Sequence, residues 1–369
     1  MAADGLPAPG RFTAVLLYAP SLLYRGAVVL RNRLYDAGWL PADRLPGRVV
    51  SLGNLAVGGT GKTPLTSCLA GHLVQAGYRV AVLSRGYARR GGGAPLLVSD
   101  GRTVLAEPVW AGDDPWLIAR DNPSVPVAVG ADRRAAARLV TEASPVEVFL
   151  LDDAYQHRRI ARDLDLLLVD GSDALGNGRM LPFGPLREPE SSLARADAVV
   201  LTRSEGDIPP ALASLLNRYN PEAPVFHARI EPVAFVRQDG TSIASSALEG
   251  FTAYAFCGIA RPGRFEHDLL STGLRLAGVR RFPDHHPFSR RALEEVVHEA
   301  RRTGAEILVT TEKDLVRMTS FPEGAPALYA LSLRVTFPES PGLIDWVIER
   351  LHALPDGAPG ANRPRVNAP

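Results

Sequence analysis

Lysine is almost missing from this chain. Of 41 Lys and Arg residues, only Lys62 and Lys313 are lysine; the rest are arginine. Cysteine is equally scarce. Cys68 and Cys257 are too few for a disulfide framework and read as core thiols of a protein in a reducing compartment. An excess of one charge sign is also absent. The 41 basic residues face 40 acidic ones, which excludes the global field of a nucleic-acid binder. Finally, there is no apolar run long enough to span a bilayer. The segment from Phe12 to Leu30 is strongly apolar but is broken by Pro20 and Arg25, and its charge-free part falls short of the ~20 residues a spanning helix needs. No Ala-x-Ala cleavage site follows a basic start, so a secretory signal is not expected.

Residues 1–45 do have a character of their own. Leucine and valine alternate there with Arg25, Arg31 and Arg33, and Tyr18, Tyr24, Tyr35 and Trp39 punctuate the segment. This composition suits a helix lying in a membrane interface, and equally a helix packed on a domain surface.

With 369 residues and 46% hydrophobic content, the rest of the chain has room for two globular domains. From Arg48, short β-rich apolar runs alternate with helical patterns: Val49–Leu52, Val80–Leu83, Val125–Val129, Val146–Leu151, Leu164–Val169 and Ala198–Leu201. That rhythm predicts an α/β fold, a P-loop NTPase-like parallel sheet with helices on both faces over 46–225. Prolines at 209, 210, 221 and 224 then break the pattern, and Val233–Ser246 reads as a hairpin. A smaller α/β domain is expected over 226–354, its last helix able to pack back on the first domain. A Pro-, Gly- and Ala-rich tail at 355–369 is expected to be disordered.

Lys62 lies in the run Gly58-Gly59-Thr60-Gly61-Lys62-Thr63, between a strand-like segment and a helical one. This is the phosphate-binding P-loop, spanning Ala56 to Thr63 with Val57 as its second residue. The glycines let backbone N–H groups turn onto phosphate oxygens, and a compact ammonium follows the β- and γ-phosphates where a planar guanidinium would not fit. Thr63 would offer its hydroxyl to Mg2+ beside ATP. Asp152-Asp153 closes a buried strand, where a P-loop enzyme keeps its metal-organising carboxylate. Asp113-Asp114 sits between Gly112 and Pro115, a turn in which Asp is generically an N-cap. Asp284-His285-His286 lacks further ligands at zinc spacing; as a loop pair it is a surface feature or supplies a general base across a cleft. Lys313, in Thr311-Glu312-Lys313-Asp314, fails the spacing of a guanine-reading loop.

Together these blocks resemble the tetraacyldisaccharide 4'-kinases, the lipid A 4'-kinases. The carriers, in order, are Gly53–Pro64, Ser84-Arg85-Gly86-Tyr87, Gly112–Pro115, Asp152–His157, Gly184–Pro189, Asp284–His286 and Thr311–Asp314. The resemblance implies a peripheral enzyme at the cytoplasmic face of the bacterial inner membrane, monomeric and without nucleic acid. It would transfer the ATP γ-phosphate to the 4'-hydroxyl of an acylated glucosamine disaccharide 1-phosphate. It also implies that Asp113 with His285 takes the hydroxyl proton, that Lys62 steadies the phosphates, and that Thr63 with Asp152 or Asp153 organises Mg2+. Asp114, Arg133, His157, Arg187 and Glu188 match positions of metal, phosphate or substrate contact. Two departures stand out: Asp114 where the family often has Glu, and Ala154 where it often has Gly. A soluble P-loop small-molecule kinase or ligase, or a nucleotide-gated binding module, is the alternative that the P-loop alone would allow.

Overall fold

The computed structural model describes residues 11–204, 206–338 and 342–354, with side chains from residue 17 onward. The expected tail at 355–369 lies outside these described residues. A long helix α1 (Arg11–Asp36) precedes β1 (Arg48–Asn54), α2 (Lys62–Gln75), β2 (Val80–Ser84) and β3 (Leu96–Asp100). Then come α3 (Pro108–Ala111), α4 (Asp113–Asp121), β4 (Pro126–Val129), α5 (Arg133–Ala143), β5 (Val148–Leu151), β6 (Leu164–Asp170), β7 (Ala198–Thr202) and α6 (Pro210–Tyr219). The second half follows as β8 (Val225–Val236), β9 (Ser242–Ala244), β10 (Thr252–Cys257), α7 (Pro262–Ser271), β11 (Arg275–Arg281) and α8 (Arg290–Arg302). It closes with β12 (Ile307–Thr311), α9 (Glu312–Leu315), β13 (Ala327–Thr336) and α10 (Leu343–Ala353).

One 13-stranded sheet runs through both halves, in the order β11-β10-β12-β13-β8-β7-β6-β1-β5-β2-β4-β3, with β9 added on β8. The strands β2, β4, β5, β6 and β7 are buried along their whole length, as parallel strands covered on both faces must be. The boundary expected at 225/226 falls inside a strand. β8 pairs in parallel with β7 through Val225–Ala228, and antiparallel with β13 through Arg229–Val236. Because β13 runs back along β8, and β12 and β10 are parallel to β13, the second half turns its strand ends back toward the first. The C-terminal ends of β10 and β12 thus face those of β1 and β5 across one cleft. α10 returns to the first half, where Leu343, Val347 and Leu351 join the core of Leu69 and Leu73.

The elements not foreseen have identifiable causes. α6 begins at Pro210 and α7 at Pro262; proline in the first turn starts a helix because its missing N–H has no partner there anyway. Read from sequence, the first pair looked like a break. β11 is an edge strand, half-exposed and arginine-rich, with no apolar run to betray it.

α1 continues through Pro20 rather than stopping there. It docks by a narrow stripe, Ser21, Val28 and Asn32, which is mostly polar. Tyr18, Leu22, Leu23, Tyr24 and Leu30 are exposed, as is Trp39 beyond the helix. No helix among the described residues is long and apolar enough to cross a membrane. The docking bonds are specific. Ser21 Oγ donates to Met180 O (2.8 Å), the Tyr24 hydroxyl to Arg187 O (3.1 Å), and Asn32 Nδ2 to Glu188 Oε2 (2.6 Å).

Glu188 is the hub of this attachment and is fully buried. It also accepts from Ser192 Oγ (2.9 Å) and from Arg195 Nη1 and Nη2 (2.7 and 3.1 Å). The hydrogen bonds of Glu188 are thus structural ones, not the substrate contact expected of it: Oε2 accepts from Asn32 of α1, Ser192 and Arg195, and Oε1 from Arg195. Burial raises its pKa, but Arg195 and the hydrogen bonds overcome this and bring it down to about 2. A depressed carboxylate pKa stabilises the fold above the ordinary Glu value, and that contribution fades as pH falls through about 2. We expect Glu188→Ala to destabilise the protein by ~3–5 kcal/mol, since Arg195 would lose its buried carboxylate partner. Urea unfolding measures it, and a loss below ~1 kcal/mol would show that the hub is dispensable.

Candidate active site

β1 delivers the chain at Asn54 to a loop that closes at Gly61, the N-cap of α2, with φ of +84°. Gly58 has φ of +122°. Both lie where a side chain would be strained, which is why glycine stands there. Ala56, where the generic P-loop has glycine, and Ala154, where the family often has it, are not at positive φ, so alanine stands there at no backbone strain. Asp153, beside Ala154, carries the left-handed turn instead, with φ of +46°. The block at 184–188 braces the loop. Val57 N–H donates to Pro185 O (2.8 Å), and Arg187 N–H donates to Leu55 O (2.7 Å). Thr60 is held by Asn54 Nδ2 on its hydroxyl (3.2 Å) and by Thr202 Oγ1 on its carbonyl (3.2 Å). Gly59 O accepts from Arg203 (2.9 Å).

The two strand-end carboxylates take different partners. Asp152 accepts from Thr66 Oγ1 (3.0 Å) and Ser84 Oγ (3.2 Å). Asp153 receives two bonds from Arg187 Nη1 (2.9 and 3.0 Å) and lies 3.4 Å from Lys62 Nζ. Burial lowers the Lys62 pKa more than Asp153 restores it, so this ammonium is left short of negative charge. Burial, then the nearby Asp114 and Asp153, push the Asp152 carboxyl up to about 6.

Asp113 and Asp114 open α4. The N-cap is Gly112, at φ of +88°, without a side-chain cap bond. The generic cap expected of these aspartates is therefore not what they form, and their carboxylates turn into the cleft. There each meets a cation from the second half. Asp113 Oδ2 accepts from Arg317 Nε (2.7 Å), pairs with Arg317 Nη2 (2.5 Å) and lies 3.2 Å from His285 Nδ1. That nitrogen is also 3.2 Å from Arg317 Nη2, so it either donates to Asp113 or accepts from Arg317. Arg317 is aimed by Asp314 Oδ1 (2.8 Å) and Gly258 O (3.0 Å). Asp114 accepts from the P-loop hydroxyl of Thr63 (2.6 Å) and pairs with Lys313. Burial works to raise both carboxyls; His285 and Arg317 at Asp113, and Lys313 and Thr63 at Asp114, hold them below the usual range. His285 itself is held at φ of +58°, against the Tyr87 ring at 5.1 Å. His286 points elsewhere and stacks on Phe282.

Arg133, buried, and His157, half-buried, lie nearby and are poorly satisfied. Among the described residues Arg133 bonds only to carbonyls, at Gly130 (2.9 Å) and Ala131 (3.5 Å), and its Nε has no partner. Burial brings its pKa down to about 10. His157 Nε2 is also unpartnered, and burial, followed by Arg133, pushes its pKa down to about 4. A buried guanidinium without a carboxylate fits an anionic ligand.

Whether a divalent cation fits is decided by the crowding around Asp152. Asp114 and Asp153 raise the energy of the Asp152 carboxylate there, and a cation relieves that. Among the described residues no three acidic or histidine side chains form a closed cage. That suits Mg2+, which keeps waters and phosphate oxygens and needs only one or two protein carboxylates. Thr63, Asp114 and Asp152 could supply the protein oxygens.

The chain matches the tetraacyldisaccharide-1-P 4'-kinase family, LpxK, over residues 13–352. It belongs to that family. It is 39% identical to the tetraacyldisaccharide 4'-kinase of Desulfotalea psychrophila, over 86% of this chain and 91% of that protein. It is 43% identical to that of Anaeromyxobacter dehalogenans strain 2CP-C, over 84% and 83% of the two chains. Its fold is similar to the crystal structure of LpxK from Aquifex aeolicus in complex with ATP. The TM-score is 0.75 at 34% identity, covering 92% of this chain and 99% of that one.

Sequence reasoning about this 4'-kinase missed Arg317 and left Lys313 open. Both are on or just after α9, with no motif chemistry of their own. The available signal was lysine's rarity. Lys313→Arg keeps the charge but puts a broad planar group against Asp114 and Thr63. We expect phosphate transfer to fall ~10–100-fold, with the thermal midpoint within a few degrees of wild type. Unchanged turnover would mean that any cation serves there.

Proposed function

We propose that this chain is a kinase that transfers the γ-phosphate of ATP to the 4'-hydroxyl of tetraacyldisaccharide 1-phosphate. The observation that carries this reading is the meeting, in one cleft, of the P-loop and the Asp113–His285 pair, which are 172 residues apart in sequence. A P-loop alone hydrolyses or senses; a carboxylate–histidine pair facing it can deprotonate an alcohol.

In this mechanism Lys62 and the backbone N–H groups of Ala56–Thr63 bind the nucleotide phosphates. Arg187 and Asp153 hold Lys62 in the loop. All of the bonds to Asp113 fall on Oδ2, so Oδ1 is the oxygen left to accept the proton of the sugar hydroxyl. Arg317 and His285 fix that carboxylate in place. Its low basicity is suited to phosphoryl transfer with a loose transition state, in which the proton leaves late. Mg2+, when held by Thr63, Asp114 and Asp152, would neutralise charge developing on the phosphates. Arg133 and His157, each with one buried nitrogen unpartnered among the described residues, would face the anionic parts of the substrates.

The acceptor reading extends to the membrane. α1 docks through polar groups and keeps tyrosines and leucines exposed, which suits a helix seated in the headgroup region of a bilayer. We infer a peripheral position at the cytoplasmic face of the inner membrane, where ATP and an acylated disaccharide meet, with the enzyme acting as a monomer.

The deciding experiment follows the label of γ-labelled ATP into detergent-dispersed disaccharide 1-phosphate. Wild type should phosphorylate it, and Lys62→Ala and Asp113→Ala should each lose at least ~10²-fold. ATP turnover with no labelled lipid would discard this acceptor.

A further inference from the structure

We propose that Arg261, carried by the second half of the chain, is a phosphate-contacting residue that stabilises the transferring phosphoryl group from the open side of the P-loop. The proposal rests on the kinase reading above.

Arg261 is the N-cap of α7, in the loop that leaves the C-terminal end of β10. Its side chain crosses the cleft and turns its Nε–Nη2 edge toward Gly58. A Cβ placed on Gly58 would meet Arg261 Nε at 3.1 Å, Nη2 at 3.4 Å and Cζ at 3.6 Å. Gly58 is the third residue of the loop Ala56–Thr63, ahead of the Gly-Lys-Thr that begins α2. A guanidinium there lies against the phosphate-binding loop from outside it. In P-loop enzymes, arginines brought to the phosphates from outside the loop neutralise charge that develops during transfer.

The side chain is aimed rather than resting by chance. Arg261 Nη1 donates to Asp170 Oδ2 (2.6 Å) and Nη2 to Asp173 Oδ2 (3.3 Å). Each of those nitrogens keeps a second N–H, and the Nε–H faces Gly58. Asp170, at the end of β6, has a side chain only 2% exposed and is shared. Arg264 lies 3.2 Å from it, and Arg203, which donates to Gly59 O, lies 3.7 Å from it. Burial, followed by the nearby Arg264, lowers the Arg203 pKa to about 10, so cationic charge is crowded at this point. Asp268 lies in the field of the same arginines. The P-loop thus has one cation within it, Lys62, and another set against it from outside, Arg261 at Gly58.

The competing role is a mechanical tie between the two halves. The two roles differ in what Arg261 recognises: a tie acts in every state, whereas a transition-state contact acts only while the phosphoryl group moves. The experiment compares wild type, Arg261→Ala and Arg261→Lys with Mg2+ by three readouts: single-turnover transfer to the disaccharide, affinity for ADP alone, and retention of ADP with aluminium fluoride. For both variants we expect transfer to fall by at least ~10²-fold, ADP affinity to stay within ~3-fold, and retention with aluminium fluoride to be lost. Lysine should not rescue, because it lacks the fork. Retention equal to wild type would overturn the proposal, as would parallel losses of ADP affinity and thermal midpoint, which mark a tie. A wild type that retains ADP with aluminium fluoride but phosphorylates no disaccharide would remove the acceptor reading; loss of that retention in Arg261→Ala would still support the arginine's role.

Discussion

Two adjacent, partly buried carboxylates, each answered by a cation from the other half of the chain, are the constraint on which this site depends. Asp113 and Asp114 are neighbours on the first turn of α4, where the helix N-terminus favours negative charge. The helix field alone does not compensate two carboxyls removed from water; Arg317 and Lys313 do. Both cations stand on or beside α9, a single turn that follows β12 directly. Their register is anchored by the fully buried Asp314, which accepts from Gly258 N–H (3.0 Å) and Thr311 Oγ1 (2.7 Å). A further tie, Arg120 to Glu312 (2.5 Å), joins α4 to α9 next to them. The catalytic geometry and the closure of the two halves are therefore one electrostatic arrangement.

That arrangement follows from the path of β8. A P-loop sheet ends in a rim of strand termini, and a second domain on a flexible linker could sit anywhere beside it. Here the linker is a strand. Its first residues complete the first half's sheet, and its later ones pair with β13, which runs back toward the rim. The antiparallel turn-back makes the strand ends of the second half face those of the first, so His285, Lys313, Arg317 and Arg261 all approach the P-loop. Backbone hydrogen bonds thus set the approach that charges then lock.

Much of this was legible in the residues. The strand–glycine–lysine pattern located the loop, and alternation of apolar runs located the sheet around it. The ordered blocks identified which carboxylate and which histidine would meet. Three parts were not legible. Whether Asp113 capped its helix or faced the cleft depended on Gly112, whose positive φ displaces the cap by one residue. The block around Glu188 read as substrate contact because a buried structural hub and a binding residue leave the same polar trace in a sequence; only the partners on α1 distinguish them. The cations of the second half were hidden by composition. In a chain where nearly every base is arginine, Arg261 and Arg317 carry no signal, and their role comes from the turn-back of β8.

Composition explains why the two lysines survived. Lys62 stands at the start of α2 with its ammonium 3.4 Å from Asp153 and its side chain only 13% exposed. Lys313 reaches Asp114 from the opposite side, where the Thr63 hydroxyl already takes part of the carboxylate. Both sites require a compact charge that can pivot among oxygens, and a guanidinium, broad and fixed in plane, would force its partners apart. Where the partner is instead a carboxylate to be clamped or a glycine face to be covered, the chain uses arginine: Arg317 on Asp113, Arg187 on Asp153, Arg261 over Gly58. The choice between the two bases at this site thus follows the shape of the space each must fill.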